Sequence, residues 1–342
     1  MKKICLFIIG VSFSFLAFSQ AKPSYTQYIL NNYILNPAVA GIENYTDIKL
    51  SYRNQWKGIP GAPVTAYVSI QGPLSKQEGR TTATSMPMHG ENPRGKNYWK
   101  EYAAPEPHHG LGMVVLNDKA GYINRWSVYA TYAYHMPLGQ RTSLAAGINL
   151  GVSSVSLERS KIEWGSLRED DPAVGYASGE LKKVKPEIGA GLWLYSDKYY
   201  AGLSVLNIIP GKASFVKDDK FAVNYTPNYF FTAGYRMLIN QDLNFIPSVM
   251  IQYWQPQLTG MHFNAKLQYT DLLWIGASYR YSNLVGGYSA MMGLNIANIN
   301  VSYSYEVATN SRLRTYTGNT HEIMIGFLLG NKYGDSCPRN IW

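Results

Sequence analysis

The sequence has little charge, few cysteines and no long apolar run after its N-terminus. Charged residues make up 15% of the 342 residues, whereas soluble domains average about 25%. Of the two cysteines, Cys5 lies in the N-terminal apolar stretch, so Cys337 has no intramolecular partner once that stretch is removed. No later segment offers about 18 consecutive apolar residues, so no membrane-spanning helix is predicted. These absences argue against a coiled coil, a disordered tail protein and a helical membrane protein.

Tyrosine and glycine are abundant in this sequence and account for much of the deficit in charged residues. The chain has 28 Tyr and 31 Gly, and 46% of its residues are hydrophobic, yet its mean hydropathy is −0.19 because aliphatic residues do not fill the deficit. This composition is typical of a Tyr- and Gly-rich β structure. The net charge is +9, but the basic residues are spread along the chain and form no basic stretch. Nucleic acid is therefore not predicted as a partner.

The first nineteen residues have the three parts of an export signal. Two lysines at positions 2 and 3 precede an apolar run that ends at Phe18, and Ala17-Phe18-Ser19 supplies a small-x-small cleavage site. The alternative is a short membrane anchor, but the run is short for a span of about 20 residues. We therefore predict a cleaved signal peptide over residues 1–19 and an exported protein.

Apolar and polar residues alternate along many segments after residue 44. In 125–136 every second residue from Trp126 to Met136 is apolar, and this period of two predicts a strand. The other predicted strands are about 45–53, 64–71, 110–116, 142–152, 186–196, 199–207, 228–239, 243–254, 261–269, 272–282, 286–296, 298–307 and 320–329. Such a set, without a spanning helix, predicts an all-β fold. Residues 45–329 would form a transmembrane antiparallel β-barrel of about 14 strands in the outer membrane.

The lengths of the predicted connections differ between the two ends of this barrel. The turns after the fourth, sixth, eighth, tenth and twelfth strands are short, whereas 153–185, 208–227 and 308–319 are longer connections at the other end. Short periplasmic turns and longer surface loops are typical of outer-membrane barrels. Residues 75–108 are the exception, a long insertion on the short-turn side, interpreted as a periplasmic excursion or a segment folded into the barrel. Residues 330–342 are a C-terminal tail.

The sequence carries no recognisable motif for catalysis, a metal or a cofactor. The second His that a zinc-protease motif requires after His321-Glu322 is missing, and no Gly-x-Ser-x-Gly elbow is present. His108-His109 is interpreted as part of a polar loop. The inward-facing charges of the predicted strands are interpreted as solvated or ion-paired lumen residues; they are Arg53, Glu187, Arg236, Lys266, Arg280, Glu306 and Glu322. We predict a protein that is not an enzyme and uses no metal or cofactor.

Residues 20–44 precede the first strand and combine apolar residues at near-helical spacing with the turn-forming pair Asn36-Pro37. Such a segment is disordered, lies along the membrane or is tucked into the barrel. A wide polar lumen favours the last of these, a barrel plug, because Asn and Gln can be satisfied there. The candidate partner-binding or plug residues are Asn36, Pro37 and Ala38 in this segment, and Arg53, Asn54, Gln55, Trp56, Ile59 and Pro60 at the first hairpin.

Several blocks of sequence, in order along the chain, resemble the PorP/SprF family of the type IX secretion system. They include QYILNNYILNPAVAG from residue 27, YRNQWKGIPGAPVT from residue 52 and GNTHEIMIGF from residue 318. The resemblance implies an outer-membrane β-barrel, which agrees with the strand count, and it implies no catalysis.

The resemblance also implies a function and partners. Members of that family either belong to the secretion machine, linked to a periplasmic peptidoglycan-binding lipoprotein, or pair with a large exported adhesin and hold its C-terminal sorting domain at the surface during gliding motility. The expectation is therefore a barrel that anchors or helps export a surface protein. Its expected partners are outer-membrane lipid, the adhesin C-terminal domain and the periplasmic lipoprotein. The alternative is a porin-like channel for small solutes, although the inward charges are sparse for a porin constriction.

Overall fold

A computed structural model of the protein describes residues 25–74, 104–157, 182–213, 223–240, 242–254, 258–270, 272–282, 286–296, 298–309 and 318–330. These residues form seventeen β-strands and three short 3-10 turns. The signal peptide predicted at 1–19, most of the insertion at 75–108 and nearly all of the tail at 330–342 lie outside the described residues. Within the described part of the chain, no helix is long and apolar enough to cross a membrane.

Fourteen strands form the wall of the barrel. In chain order they are β1 (Thr46–Asn54), β2 (Val64–Leu74), β3 (His108–Ala120), β4 (Ile123–Pro137), β5 (Ser143–Leu157), β6 (Lys182–Tyr195), β7 (Tyr199–Leu206), β10 (Asn228–Tyr235), β12 (Leu243–Trp254), β13 (Leu258–Tyr269), β14 (Leu273–Ser282), β15 (Gly287–Ile296), β16 (Ile299–Ala308) and β17 (Thr320–Leu329). Three short strands accompany them. β8 (Gly211–Ala213) pairs with β9 (Val223–Tyr225), and β11 (Met237–Leu238) pairs with β12.

Each wall strand is antiparallel to its neighbours in the chain, and the sheet closes on itself. β1 pairs with β17 from Thr46↔Leu329 to Asn54↔His321. β10 pairs with both β7 and β12, so the pairing is continuous around the wall. Closure satisfies the backbone N–H and C=O groups within the wall, which is what lets strands cross lipid. The predicted antiparallel barrel of about fourteen strands is confirmed.

The alternation of residue types sorts side chains between the two faces of the wall. On β15, buried and exposed residues alternate over all ten positions. Large apolar side chains are exposed on the outer face of every wall strand, whereas the buried inward positions are rich in Ser, Thr, Asn and Gln. Exposed aromatic residues lie towards both ends of the wall, such as Trp126 and Tyr229 at one end and Tyr235 and Tyr269 at the other. An apolar band between aromatic girdles is typical of a barrel in a membrane.

We name the two ends of the barrel by their connections. The turn end carries the connections 138–142, 196–198 and 270–272, and the loop end carries the nine-residue connection 55–63 and the two-residue turn 121–122. β1 begins at the turn end and β17 finishes there, because a barrel with an even number of antiparallel strands has both chain ends on one side.

Two histidines predicted in a polar loop lie on a strand, so that interpretation is wrong. β3 begins at His108, which pairs with His135 of β4, and His109 pairs with Tyr134. The sequence pattern predicted this strand over 110–116 alone. It is longer because β2 and β4 continue on either side of it and supply hydrogen-bond partners, a condition that only the assembled sheet creates.

Residues 25–43, the inner segment, lie inside the barrel. They form three consecutive 3-10 turns, Gln27–Leu30, Asn32–Ile34 and Pro37–Val39. The turns are short because Asn31 is in a non-helical conformation after the first turn and the extended Asn36 precedes the third. Side chains and backbone of the segment make hydrogen bonds with β2, β4, β6, β7, β13, β16 and β17, which lie all around the wall.

Candidate functional site

The inner segment runs lengthwise through the lumen. Thr26, near its start, lies towards the loop end, beside Glu306 near the end of β16 and Glu322 near the beginning of β17. Gly41, near its finish, lies at the turn end, where its carbonyl oxygen is 3.1 Å from Nε2 of His108 at the start of β3. The chain then enters β1 at the turn end. The segment therefore occupies the lumen along most of the barrel's length.

Four buried charged side chains, the charge cluster, lie towards the loop end of the lumen: Arg53, Arg280, Glu306 and Glu322. Arg53 Nη2 is 3.0 Å from Glu306 Oε2, and its Nη1 is 3.0 Å from Glu322 Oε2. Arg280 Nη1 is 2.9 Å from Glu306 Oε1. The two positive and two negative charges balance, as buried charges must because an unpaired ion in the interior is costly. The interpretation of these four as ion-paired lumen residues agrees with the structure.

Thr26 joins the inner segment to the charge cluster. Its hydroxyl donates to Glu306 Oε2 at 2.6 Å and accepts from the Arg53 guanidinium, and its backbone N–H donates to Glu322 Oε2 at 3.0 Å. Gln27 follows, donating from Nε2 to the carbonyl oxygen of Glu322 at 2.7 Å and accepting from the Ser302 hydroxyl. Hydrogen bonds to charged groups are stronger than neutral ones. The start of the segment is therefore fixed to β1, β16 and β17.

Two tyrosines fix the middle of the segment. The Tyr28 hydroxyl accepts from Asn264 Nδ2 at 2.6 Å, and the Tyr33 hydroxyl donates to Thr131 Oγ1 at 2.9 Å. Both phenols are neutral hydrogen-bonding groups, as tyrosine ordinarily is at physiological pH.

Asn36 fixes the turn Pro37–Val39. Its Oδ1 accepts from the backbone N–H of Ala38 at 3.0 Å, as an N-cap does. Its Nδ2 donates to the carbonyl oxygens of Leu192 at 3.0 Å and Leu203 at 3.2 Å on the wall. A single amide therefore both closes the turn and binds it to β6 and β7.

The wall receives this turn at three inward-facing glycines, Gly110, Gly147 and Gly191, here called the glycine cradle. A Cβ on Gly147 would lie 2.5 Å from the backbone nitrogen of Ala38, and one on Gly110 or Gly191 would lie closer still to the inner segment. Real Cβ atoms do not approach other atoms so closely, so these positions admit the segment only because they lack side chains.

Two histidines hold the end of the segment. The rings of His108 and His135 stack with centroids 4.5 Å apart. Nε2 of His135 lies 2.8 Å from the carbonyl oxygen of Ala40, and Nε2 of His108 makes the corresponding contact with Gly41. Gln71 completes the attachment, its Oε1 accepting from the backbone N–H of Gly41 at 2.6 Å.

The connection 55–63, here called the rim loop, lies at the loop end and is bound on both sides. Lys57 exchanges backbone hydrogen bonds with Gly318 at 2.9 Å and Asn319 at 3.2 Å, and Gly61 accepts from the N–H of Gly121 at 2.8 Å. Trp56 has a φ of 52°, a left-handed conformation that is rare and strained for a bulky residue. Backbone strain of this kind is often found at functional sites.

The sequence-predicted residues occupy two places. Asn36, Pro37 and Ala38 lie against the glycine cradle, and Arg53 lies in the charge cluster. Asn54 ends β1, and Gln55, Trp56, Ile59 and Pro60 belong to the rim loop. Gln55 connects the two, because its side-chain oxygen, turned towards Arg53, lies 2.8 Å from Arg53 Nε.

Sequence reasoning missed Thr26, the glycine cradle and the histidine pair. The glycines and His135 could have been found from the sequence, because the alternation along their strands places each of them at an inward-facing position. Thr26 carries none, because its partners are distant in the sequence. Within the described ranges, no group of three or more His, Cys, Asp or Glu could hold a metal.

Two small spaces flank the inner segment. The space towards the loop end has a cavity volume of about 80 Å³ and is lined by residues such as Tyr25, Arg125 and Gln252. The space towards the turn end has a cavity volume of about 90 Å³ and is lined by residues such as Lys49 and Lys266.

Comparison with known proteins gives one family and a set of barrels. The family model described as "Type IX secretion system membrane protein PorP/SprF" matches residues 17–327. The solved structure of the Ralstonia pickettii toluene transporter TbuX is 9% identical, with 88% of this chain and 92% of that chain covered and a TM-score of 0.49. For the Acinetobacter baumannii outer membrane protein Omp33 the identity is 7%, the coverage 84% and 100%, and the TM-score 0.46. Among curated proteins, none matches the sequence.

Proposed function

The chain belongs to the PorP/SprF family of type IX secretion system membrane proteins, and from this premise we propose that it is a closed, non-enzymatic barrel that anchors or helps export a surface protein. It is an outer-membrane β-barrel in fold. The turn end faces the periplasm and the loop end faces the cell surface, as loop lengths favour. The signal peptide at 1–19 delivers the chain to the envelope.

The observation that carries the proposal is the position of the inner segment. It is attached at the charge cluster, at the glycine cradle and at the histidine pair, on opposite sides of the lumen. A passive solute channel needs a continuous water-filled path, whereas this segment is buried inside the lumen and leaves two small spaces beside it. A plugged barrel suits a role in holding other proteins.

The partners are assigned to the two ends. The rim loop, with Trp56, Ile59 and Pro60, contacts an exported adhesin C-terminal sorting domain at the surface. A periplasmic peptidoglycan-binding lipoprotein binds at the turn end. Support for the surface contact comes from the strained Trp56 and from the hydrogen bonds that hold the rim loop in one conformation. A preorganised loop loses little conformational entropy when it binds.

The test is conductance in planar lipid bilayers combined with recovery of partners. We expect the wild-type protein to conduct small ions poorly. Gly191→Val places a side chain where Asn36 Oδ1 lies and displaces the turn, so we expect it to raise conductance. Gly139→Val is the matched control, because nothing lies within 4 Å of a Cβ there. Co-purification of the tagged wild-type protein from native envelopes with a surface protein or a lipoprotein would support the anchoring role.

A porin-like channel is the second candidate, favoured by the two spaces on either side of the inner segment. Displacement of the segment would join them. Porin-like conductance of the wild-type barrel, together with recovery of the barrel alone from envelopes, would replace the anchoring proposal with this one.

A further inference from the structure

The lipid-facing side of β4 to β7, β10 and β12 contains an open groove with a volume of about 810 Å³. Its lining is almost entirely apolar. Ala146 and Ala190 form part of its floor, Tyr132 and Tyr134 lie at one end, and Tyr229 and Tyr253 lie at the other. The groove is on the outer face of the wall, separate from the lumen and the inner segment.

The pairing register gives the direction and length of the groove. Tyr134 pairs with Ala146 across β4 and β5, and Tyr229 pairs with Tyr253 across β10 and β12. The groove therefore crosses six neighbouring strands rather than following one. With an interstrand spacing of about 4.8 Å, five spacings give a length of about 24 Å.

The groove lies where small residues occupy both the outer and the inner face of the wall. On β5 and β6 the outward residues Ala146 and Ala190 are each followed in sequence by an inward glycine of the cradle, Gly147 and Gly191. These glycines line the outer groove and also contact the inner segment. The neighbouring Leu192 and Leu203 are 49% and 57% exposed and stand higher than the alanines. Small residues between large ones therefore create the depression.

We propose that this groove binds an acyl chain of a membrane lipid. The occupant follows from the surroundings, since the outer face of a membrane barrel is covered by lipid and this face is apolar. A chain in the groove touches protein on several sides, whereas a chain on a convex wall touches it on one, and such dispersion contacts add up. Tyr229 and Tyr253 lie at the loop end of β10 and β12, where tyrosine hydroxyls meet headgroups.

The chain offers a matched control surface on the far side of the barrel. Ala277 of β14 and Ala290 of β15 pair with each other, are exposed on the outer face, and lie beside the Tyr279–Tyr288 ring contact. They share residue type and an outward-facing position with the groove alanines. Bulk lipid contact alone would treat both surfaces equally.

The experiment is photolabelling of the full-length barrel, refolded in phosphatidylethanolamine/phosphatidylglycerol vesicles that contain a phospholipid with a diazirine in its acyl chain. Crosslinks are located by mass spectrometry, and heat-modifiable migration verifies folding. We expect labelling of the groove to exceed that of the Ala277/Ala290 surface by at least about threefold, an advantage of at least about 0.65 kcal/mol. The double substitution Ala146→Leu/Ala190→Leu should remove the excess, and Ala277→Leu/Ala290→Leu should leave it.

Two results would overturn the proposal. One is equal labelling of the two surfaces, or a groove excess that persists in Ala146→Leu/Ala190→Leu. Either outcome would show that the groove makes only the lipid contact that any outer surface of the barrel makes. The other is weak labelling of the groove together with a species of twice the mass in native mass spectrometry, which would assign the groove to a second copy of the chain. Neither result bears on whether the lumen is closed, so this proposal and the proposed function fail independently.

Discussion

Removal of one charge from the charge cluster tests whether its ion pairs stabilise the barrel and its inner segment. In Glu322→Gln the side chain keeps its size but loses its charge, so Arg53 keeps only Glu306 and the cluster gains a net positive charge. The Glu322 carboxylate is 0% exposed and lies 3.0 Å from Arg53 Nη1, and the same oxygen accepts the Thr26 N–H at 3.0 Å. Breaking a buried ion pair costs about 3–5 kcal/mol. We expect a loss of about 3 kcal/mol in unfolding free energy, because Glu306 remains as a partner.

The assay is equilibrium unfolding in urea of the protein refolded in lipid vesicles, followed by tryptophan fluorescence. Asp197→Asn is the control, since it breaks an ion pair of similar length, 2.8 Å to Arg141 Nη2, in which the arginine side chain is 38% exposed. Water can solvate that arginine, so we expect a loss of about 1 kcal/mol or less. Equal losses in the two variants would refute the reasoning that burial makes the charge cluster important. A loss below about 1 kcal/mol for Glu322→Gln would refute it as well.

Three further substitutions test the attachments of the inner segment and the rim loop. Asn36→Ala removes the cap of the turn and its two bonds to the wall, so we expect it to lower the unfolding free energy by about 1–2 kcal/mol and to raise bilayer conductance. The control Asn117→Ala, which removes a side-chain hydrogen bond to Asn124 within the wall, should leave conductance unchanged. Gly147→Ala introduces a Cβ 2.5 Å from a backbone nitrogen of the turn and should lower stability and raise conductance; an unaltered conductance would show that the wall adjusts. Trp56→Ala should leave heat-modifiable migration intact and reduce recovery of a surface protein, whereas lost migration would show a folding role.

Much of the wall was predictable because the alternation of apolar and polar residues within each strand shows which face meets lipid. Trp126 to Met136 alternate in the sequence and alternate in the structure, since one face meets lipid and the other the lumen. Strand ends were less predictable. β3 reaches His108 and β5 reaches Leu157 because their neighbours continue that far, which is a property of the sheet rather than of the segment.

The candidate site was predictable in part for a similar reason. Asn36-Pro37 is a turn signal in any context, and Arg53 is conspicuous as a charge on an inward-facing position. Thr26 is an ordinary residue in the sequence, and it becomes important only because Glu306 and Glu322, hundreds of residues away, close around it. No local pattern encodes such a contact.

The sequence by itself determined that this chain is a β protein with about fourteen alternating strands and an unusual segment before the first of them. Alternation is a local property, fixed by which face of each strand meets lipid. Only the tertiary structure decided that the segment runs through the lumen from loop end to turn end, and that Gly147 and Gly191 make room for its turn. Closing the sheet brings β1 against β17 and places the charge cluster, the glycine cradle and the histidine pair around one space. The contacts that hold the segment exist only after that closure.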